Sequence, residues 1–176
     1  KSHVKASEAH AAGLYDDEIV AAGSADLAEN GIRVSTPEQM AKLKPAFVKP
    51  HGTHTAANSS FLTDGAAATL IMADDAATRL GYTPKAYIKD FYFAAVDPFD
   101  ELLLGPTYAI SHLLHKHQLA LADVDVIEMH EAFAGQVLAN FAALGSDKFA
   151  LDHLPNRSAK VGDVDVSKVN ALAAPS

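Results

Sequence analysis

The sequence predicts an α/β fold in which helices cover a mixed sheet, and three junctions along the chain carry that prediction. At the first, the continuous apolar run Gly65-Ala66-Ala67-Ala68-Thr69-Leu70-Ile71-Met72 has the length of a buried strand. It is followed by Asp74, which can cap a helix running to Leu80, with Gly81 just past its end and Pro84 beyond. At the second, residues 85–96 are rich in Tyr, Phe and Ile and read as another strand, after which Gly105-Pro106 opens a helix with proline in its tolerated first turn. At the third, residues 123–129 alternate partly as a strand. They run into His130-Glu131-Ala132-Phe133 and a helix whose Phe133, Val137, Phe141 and Leu144 share one stripe.

The remaining elements follow from simpler signals. Ala, Val and Leu at near-helical spacing predict a helix in the first block that stops near Gly13, and Asp16-Asp17-Glu18 is expected to open a short extended piece. Residues 21–50 break into Gly, Asn and Ser and predict a surface excursion. One short helix is expected inside it, over residues 36–44, capped by Ser35 or Thr36 with Glu38 in the first turn. Residues 51–64 are polar and rich in small side chains. In the helix after Gly105, the spacing of Ile110, Leu113, Leu114 and His117 places them on one face. Beyond Leu151 the periodicity fades and loop-like structure is expected.

Composition excludes several classes of function. The 176 residues are 49% hydrophobic, enough for one sizeable core or two small ones sharing an interface. A formal net charge of -8 with scattered basic residues excludes a nucleic-acid-binding surface, which needs clustered Lys and Arg. The longest apolar run, residues 66–73, falls far short of the ~20 residues a membrane-spanning helix requires. There is no cysteine, so disulfides, thiolate metal sites and cysteine nucleophiles are excluded together within this sequence. The opening Lys1-Ser2-His3 has neither an apolar signal region nor an Arg-rich amphipathic stretch. The expectation is a removed targeting segment or a piece of something longer.

Most short motifs resolve to ordinary structural roles. His130-Glu131 lacks the second histidine four residues on that a zinc protease needs, because position 134 is Ala. His112 and His115 stand three apart on a helix, but no third ligand is placed with them, so no metal site is expected. Asn58-Ser59-Ser60 lacks the glycine frame of a nucleophile elbow. Asp74-Asp75 and Asp16-Asp17-Glu18 sit where elements begin, and capping accounts for them. Neither a P-loop nor a dinucleotide-binding glycine pattern is present. What remains is the junction at residues 129–133, where a strand end delivers His130 and Glu131 just before a helix, a common place for a site in α/β folds. On the residues alone, a cap of that helix is the favoured reading of His130.

The stretches Gly52-Thr53-His54-Thr55-Ala56-Ala57-Asn58-Ser59-Ser60-Phe61-Leu62-Thr63-Asp64-Gly65-Ala66 and Leu102-Leu103-Leu104-Gly105-Pro106-Thr107-Tyr108-Ala109 resemble the thiolase family. His130-Glu131-Ala132-Phe133 resembles the variant of that family's Asn-Glu-Ala-Phe motif in which His replaces Asn. With Gln39-Met40-Ala41-Lys42-Leu43-Lys44-Pro45-Ala46-Phe47 and Asn140-Phe141, it is similar to a mitochondrial branch of the family. The resemblance covers nearly the whole chain and implies a partial thiolase-like fold, incomplete without N- and C-terminal segments. Residues 1–50 would end the substrate-covering loop domain, residues 51–84 would complete the N-terminal core, and residues 85–176 would begin the C-terminal core with a diverged tail.

The resemblance also implies a chemistry, thiolytic cleavage of 3-ketoacyl-CoA in fatty-acid β-oxidation. Ser60 would contact the pantetheine of CoA. His130, with Glu131 beside it, would anchor a water of the oxyanion hole, vestigial here because the partners of that chemistry are missing. The family's nucleophilic Cys, second Cys and Gly-His-Pro histidine have no counterpart, and the chain reads Ala171-Leu172-Ala173-Ala174-Pro175-Ser176 where the family continues with a Gly-Gly-Ser turn. The expected role is therefore a non-catalytic structural or assembly subunit of a larger complex at the mitochondrial matrix or the matrix side of the inner membrane. The alternative is one half of a split thiolase completed by another chain. Expected partners are other protein chains, thiolase-like or members of such a complex. No cofactor is expected to be bound covalently, and a CoA thioester is expected only with a completing chain.

Overall fold

The computed structural model describes residues 1–20 and 31–171, so part of the surface excursion and most of the diverged tail expected from the sequence lie outside the described residues. Six helices are described: α1 (Ser2–Ala11), α2 (Pro37–Ala41), α3 (Asp74–Leu80), α4 (Gly105–Lys116), α5 (Ala134–Leu144) and α6 (Asp147–His153). Helix α1 ends as its sequence predicts. Gly13 takes a left-handed φ of 68°, and the Gly13 and Leu14 amides donate back to the His10 and Ala9 carbonyls. The same device closes α3 at Gly81, whose φ is 77°.

Thr36, rather than Ser35, caps α2. Its hydroxyl accepts from the Gln39 amide while the Gln39 side chain accepts from the Thr36 amide, a reciprocal pair that satisfies two otherwise orphaned donors. At α3 the expected cap is displaced by one residue. Ala73 occupies the cap position, and Asp74 is the first helical residue, where its charge suits the helix dipole and accepts from the Tyr87 hydroxyl at 3.0 Å. Asp16-Asp17-Glu18 does not open an extended piece. It forms a turn in which the Glu18 and Ile19 amides both donate to the Tyr15 carbonyl.

The core is helical and lies in the C-terminal half. Helix α5 packs between α4 and α6, and Val137, Ala143, Leu144, Ala150 and Leu154 are buried there with Leu114 of α4. The face that α4 turns inward differs from the expected apolar one. Thr107, Ser111 and Leu114 are buried, while Ile110, Leu113 and His117 are only half-buried. Polar pairing explains the rotation. The Asn140 side-chain oxygen accepts from the Thr107 amide at 3.1 Å and from its hydroxyl at 2.8 Å, and the Asn140 amide group donates to the carbonyls of Leu103 and Gln136. Arg157 likewise donates to the Ser111 hydroxyl and carbonyl. Small polar residues therefore bring the helices close and leave no buried polar group unpaired at this seam.

The expected sheet is not formed among the described residues. Residues 65–72 and 85–96 form neither helix nor ladder. Pairing is confined to two isolated bridges, Ser59 with Phe133 and Ile127 with Val169. The physical reason lies in what a strand is. A helix bonds to itself, whereas an extended segment becomes a strand only when a neighbour supplies its hydrogen bonds. Leu70 stays 70% exposed and Phe93 86% exposed, although both sit in runs whose composition demands burial. The third expected strand, residues 123–129, begins with a turn of 3-10 helix at Leu121–Asp123 and keeps only its bridge at Ile127.

Candidate functional site

The two motifs that the sequence singles out come together in space. The Ser60 amide donates to the Ala132 carbonyl at 2.8 Å, and Ser59 bridges antiparallel to Phe133, so the loop carrying Ser60 lies alongside His130-Glu131-Ala132-Phe133. That loop is pre-shaped by its own side chains. The Thr55 hydroxyl accepts from the Ala57 amide, the Asn58 side chain accepts from the Thr55 amide and donates to the Thr53 carbonyl, and the Ser59 hydroxyl donates to the Thr55 carbonyl. Ser60 is half-buried, and its hydroxyl reaches only the neighbouring Phe61 carbonyl at 3.4 Å, a weak contact that a better acceptor would displace.

His130 is exposed, and it does not cap α5, whose cap position is held by Phe133. Glu131 is half-buried and fixed from behind. Its Oε1 accepts from the Asn170 side chain at 2.8 Å. Asn170 also accepts from the Met129 amide at 2.7 Å and donates to the Met129 carbonyl at 2.9 Å, while its own amide donates to the Ile127 carbonyl. One buried side chain thus spans Met129 to Glu131 and aims the His130-Glu131 corner. Asn170 has a φ of 46°, a left-handed conformation that Asn tolerates better than most residues. The Lys5 ammonium donates to the carbonyls of Val169 and Asn170, which ties α1 to the back of this corner.

The sequence patterns single out neither Asn170 nor His54. The His54 ring makes edge contacts with Phe133 at 5.4 Å and Phe47 at 6.2 Å, and Phe47 meets Phe133 at 5.9 Å. The ring lies directly over Gly135 in the first turn of α5, where an added Cβ would come within 2.7 Å of its Nε2.

The histidines of α4 are engaged separately. His112 stacks on Tyr92 at 4.0 Å, and His117 pairs with Asp90 at 2.7 Å beside the Lys116 ammonium. The hydrogen bond and charge of Lys116, helped by His117, hold the Asp90 carboxyl well below the usual carboxylate range. Among the described residues no three His, Cys, Asp or Glu side chains are grouped as a metal site would require. At the edge of α4, burial first and then the neighbouring Glu101 push the Tyr108 hydroxyl up to about 12. It serves as a hydrogen-bond donor to that carboxylate at neutral pH.

Chemically, the corner offers an exposed imidazole, a carboxylate held in place and a backbone-anchored hydroxyl, all on connected loops. Such a set can orient a water or a carbonyl oxygen and bind a polar arm.

Comparisons with known proteins give the family. Residues 1–75 match the model of the thiolase N-terminal domain and residues 82–173 that of the thiolase C-terminal domain. The chain is 53% identical over 173 residues to the mitochondrial trifunctional enzyme subunit beta of Homo sapiens, covering 97% of this chain and 36% of that protein, and equally similar to the Bos taurus protein. It is 52% identical to a probable 3-ketoacyl-CoA thiolase of Caenorhabditis elegans, covering 97% of this chain and 39% of that one. Among solved structures it superposes on human mitochondrial 3-ketoacyl-CoA thiolase in complex with CoA with a TM-score of 0.77 at 31% identity, covering 99% of this chain and 40% of that one. The Bacillus anthracis acetyl-CoA acetyltransferase gives a TM-score of 0.79 at 32% identity, with 99% and 41% covered. The chain therefore spans well under half the length of the relatives it matches. The matched domains, the motif at residues 130–133 and the bracketed corner agree, and the chain belongs to the thiolase family.

Proposed function

We propose that these residues form the CoA-side and oxyanion-side part of a mitochondrial 3-ketoacyl-CoA thiolase, inactive by themselves and completed by further polypeptide. One observation carries the reading. Two apolar strand sequences, residues 65–72 and 85–96, lie exposed and without a ladder on a chain whose helices pack a core around α5. Such segments need strand partners and covering helices, and an uncovered strand is an aggregation hazard. The completing polypeptide would also bring what the sequence lacks. In thiolysis a thiolate attacks the keto carbon, the bond to the acetyl unit breaks with protonation of the departing carbon, and the acyl group passes from cysteine to CoA. A sequence with no cysteine supplies neither thiolate nor the second thiol acid.

In this reading Ser60 contacts the pantetheine arm, and His130 holds an oxyanion-hole water with Glu131 and Asn170 fixing its backbone. The names of the relatives support a mitochondrial setting, and this reading adds a place in fatty-acid β-oxidation at the matrix or the matrix face of the inner membrane. The absence of cysteine also favours a second reading, a non-catalytic assembly subunit of a larger complex.

An acetoacetyl-CoA thiolysis assay separates the two. The chain alone should show no turnover, and the assembly purified with it should turn over and lose activity when the chain is removed. An assembly that contains the chain and shows no thiolysis would establish the structural role instead.

A further inference from the structure

We infer that His54 is a positioning residue for the Ser60 loop, its ring seated over Gly135 so that Ser60 stays in register with His130-Glu131. Three observations on different parts of the chain converge on it. The ring is held edge-on between Phe47 and Phe133, and Phe133 is the cap residue of α5, immediately after the Glu131-Ala132 corner. Gly135 leaves the space the ring occupies, since a Cβ there would stand 2.7 Å from Nε2 and 3.0 Å from Cε1. The backbone of His54 is anchored as well, its carbonyl accepting from the Ala46 amide at 2.8 Å. From His54 the chain passes straight into the self-bonded turn of Thr55 to Ser59, so fixing the ring fixes Ser60. The bond from the Ser60 amide to the Ala132 carbonyl is the point where that register is held.

His54 touches no reacting atom in this scheme. It acts through Ser60, and the consequence for catalysis rests on the acyl-CoA reading proposed above, whereas the consequence for the loop does not. The test uses the complete polypeptide with whatever chain completes it, in the variants H54A, H54F, G135A and H54A/G135A. Hydrogen exchange of the Ser60 amide should be about tenfold faster in H54A and near native in H54F, which keeps the aromatic contacts. G135A should speed it in the native background and add nothing in the H54A background, because the methyl then has room.

In thiolysis, H54A should raise the KM for CoA about fivefold with kcat within about twofold, a split that general loss of folded protein does not produce. Where H54A does not fold, the H54F and G135A pair carries the same comparison. Unchanged Ser60 exchange in H54A, or an equal G135A effect in both backgrounds, would overturn the assignment. If the native protein exchanges as described but performs no thiolysis, the proposed function fails and the positioning role stands.

Discussion

The helical half of the chain and the apolar segments at residues 65–72 and 85–96 are both hydrophobic in sequence and end differently. Around α5, Leu144 is 1% exposed and Asn140 fully buried, and Asn140 hands each of its polar atoms to a partner. In residues 85–96, Tyr87, Ile88, Phe91 and Phe93 all face outward. The difference is one of self-sufficiency. Helices satisfy their own backbones and find each other within this chain, and strands wait for neighbours. The helical elements hold the rear of the candidate site, and the unpaired segments are the ones on which the proposed completion by other polypeptide rests.

Several changes would break or sharpen that contrast. The largest effect is expected from Phe93→Lys. In the chain alone it should alter stability by less than about 0.5 kcal/mol, as a surface change does. In the completed protein it places a charge in a covered sheet and should cost several kcal/mol, roughly 3 or more, seen as loss of assembly by size-exclusion chromatography. Next comes Asn140→Ala, which takes from the buried Thr107 hydroxyl its 2.8 Å acceptor and leaves the carbonyls of Leu103 and Gln136 without the side-chain donor they share. A loss of about 3 kcal/mol in urea unfolding is expected.

Asn170→Ala should cost about 2 kcal/mol, through the lost bonds to Met129 and Glu131 and through alanine at a left-handed φ. It should also lower thiolysis in the completed enzyme, while Asn140→Ala affects activity only through stability. The smallest effect concerns Asp90, which tethers the 85–96 segment to α4. Its folded-state pKa is depressed, so its stabilisation is present above the ordinary carboxylate value near about 4 and is lost as pH falls below it. Melting curves from neutral to acid pH should show this loss in the native chain and not in Asp90→Asn.

The elements written in local chemistry were legible in the sequence. Gly13 and Gly81 end their helices where expected, Thr36 caps α2, and the stripe of α5 is buried at Val137 and Leu144. What was not legible depends on partners distant in the chain. The inward face of α4 is set by Asn140, 33 residues away from Thr107, and periodicity alone favoured its aliphatic side. Helix α6 was not expected as a helix of its own, although Ser146 caps it through the Phe149 amide. Of the site, Ser60, His130 and Glu131 were reached through resemblance, whose motifs the fold then set side by side. Asn170 and His54 were missed because their roles consist of contacts across 39 or more residues in one case and with a glycine's missing side chain in the other. Residues 65–72 and 85–96 were expected as strands from their composition and form no ladder among the described residues, because pairing is a property of two segments and not of one.

The account stands most directly on the state of those segments. Hydrogen exchange should be followed at the amides of residues 66–72 and 86–95, in the chain alone and in the assembly that completes it. The expected result is exchange near the unstructured rate in the chain alone and protection of roughly a thousandfold or more in the assembly, while α5 is protected in both. Equal exchange of these amides in the two states would contradict the claim that they are strands completed by other polypeptide.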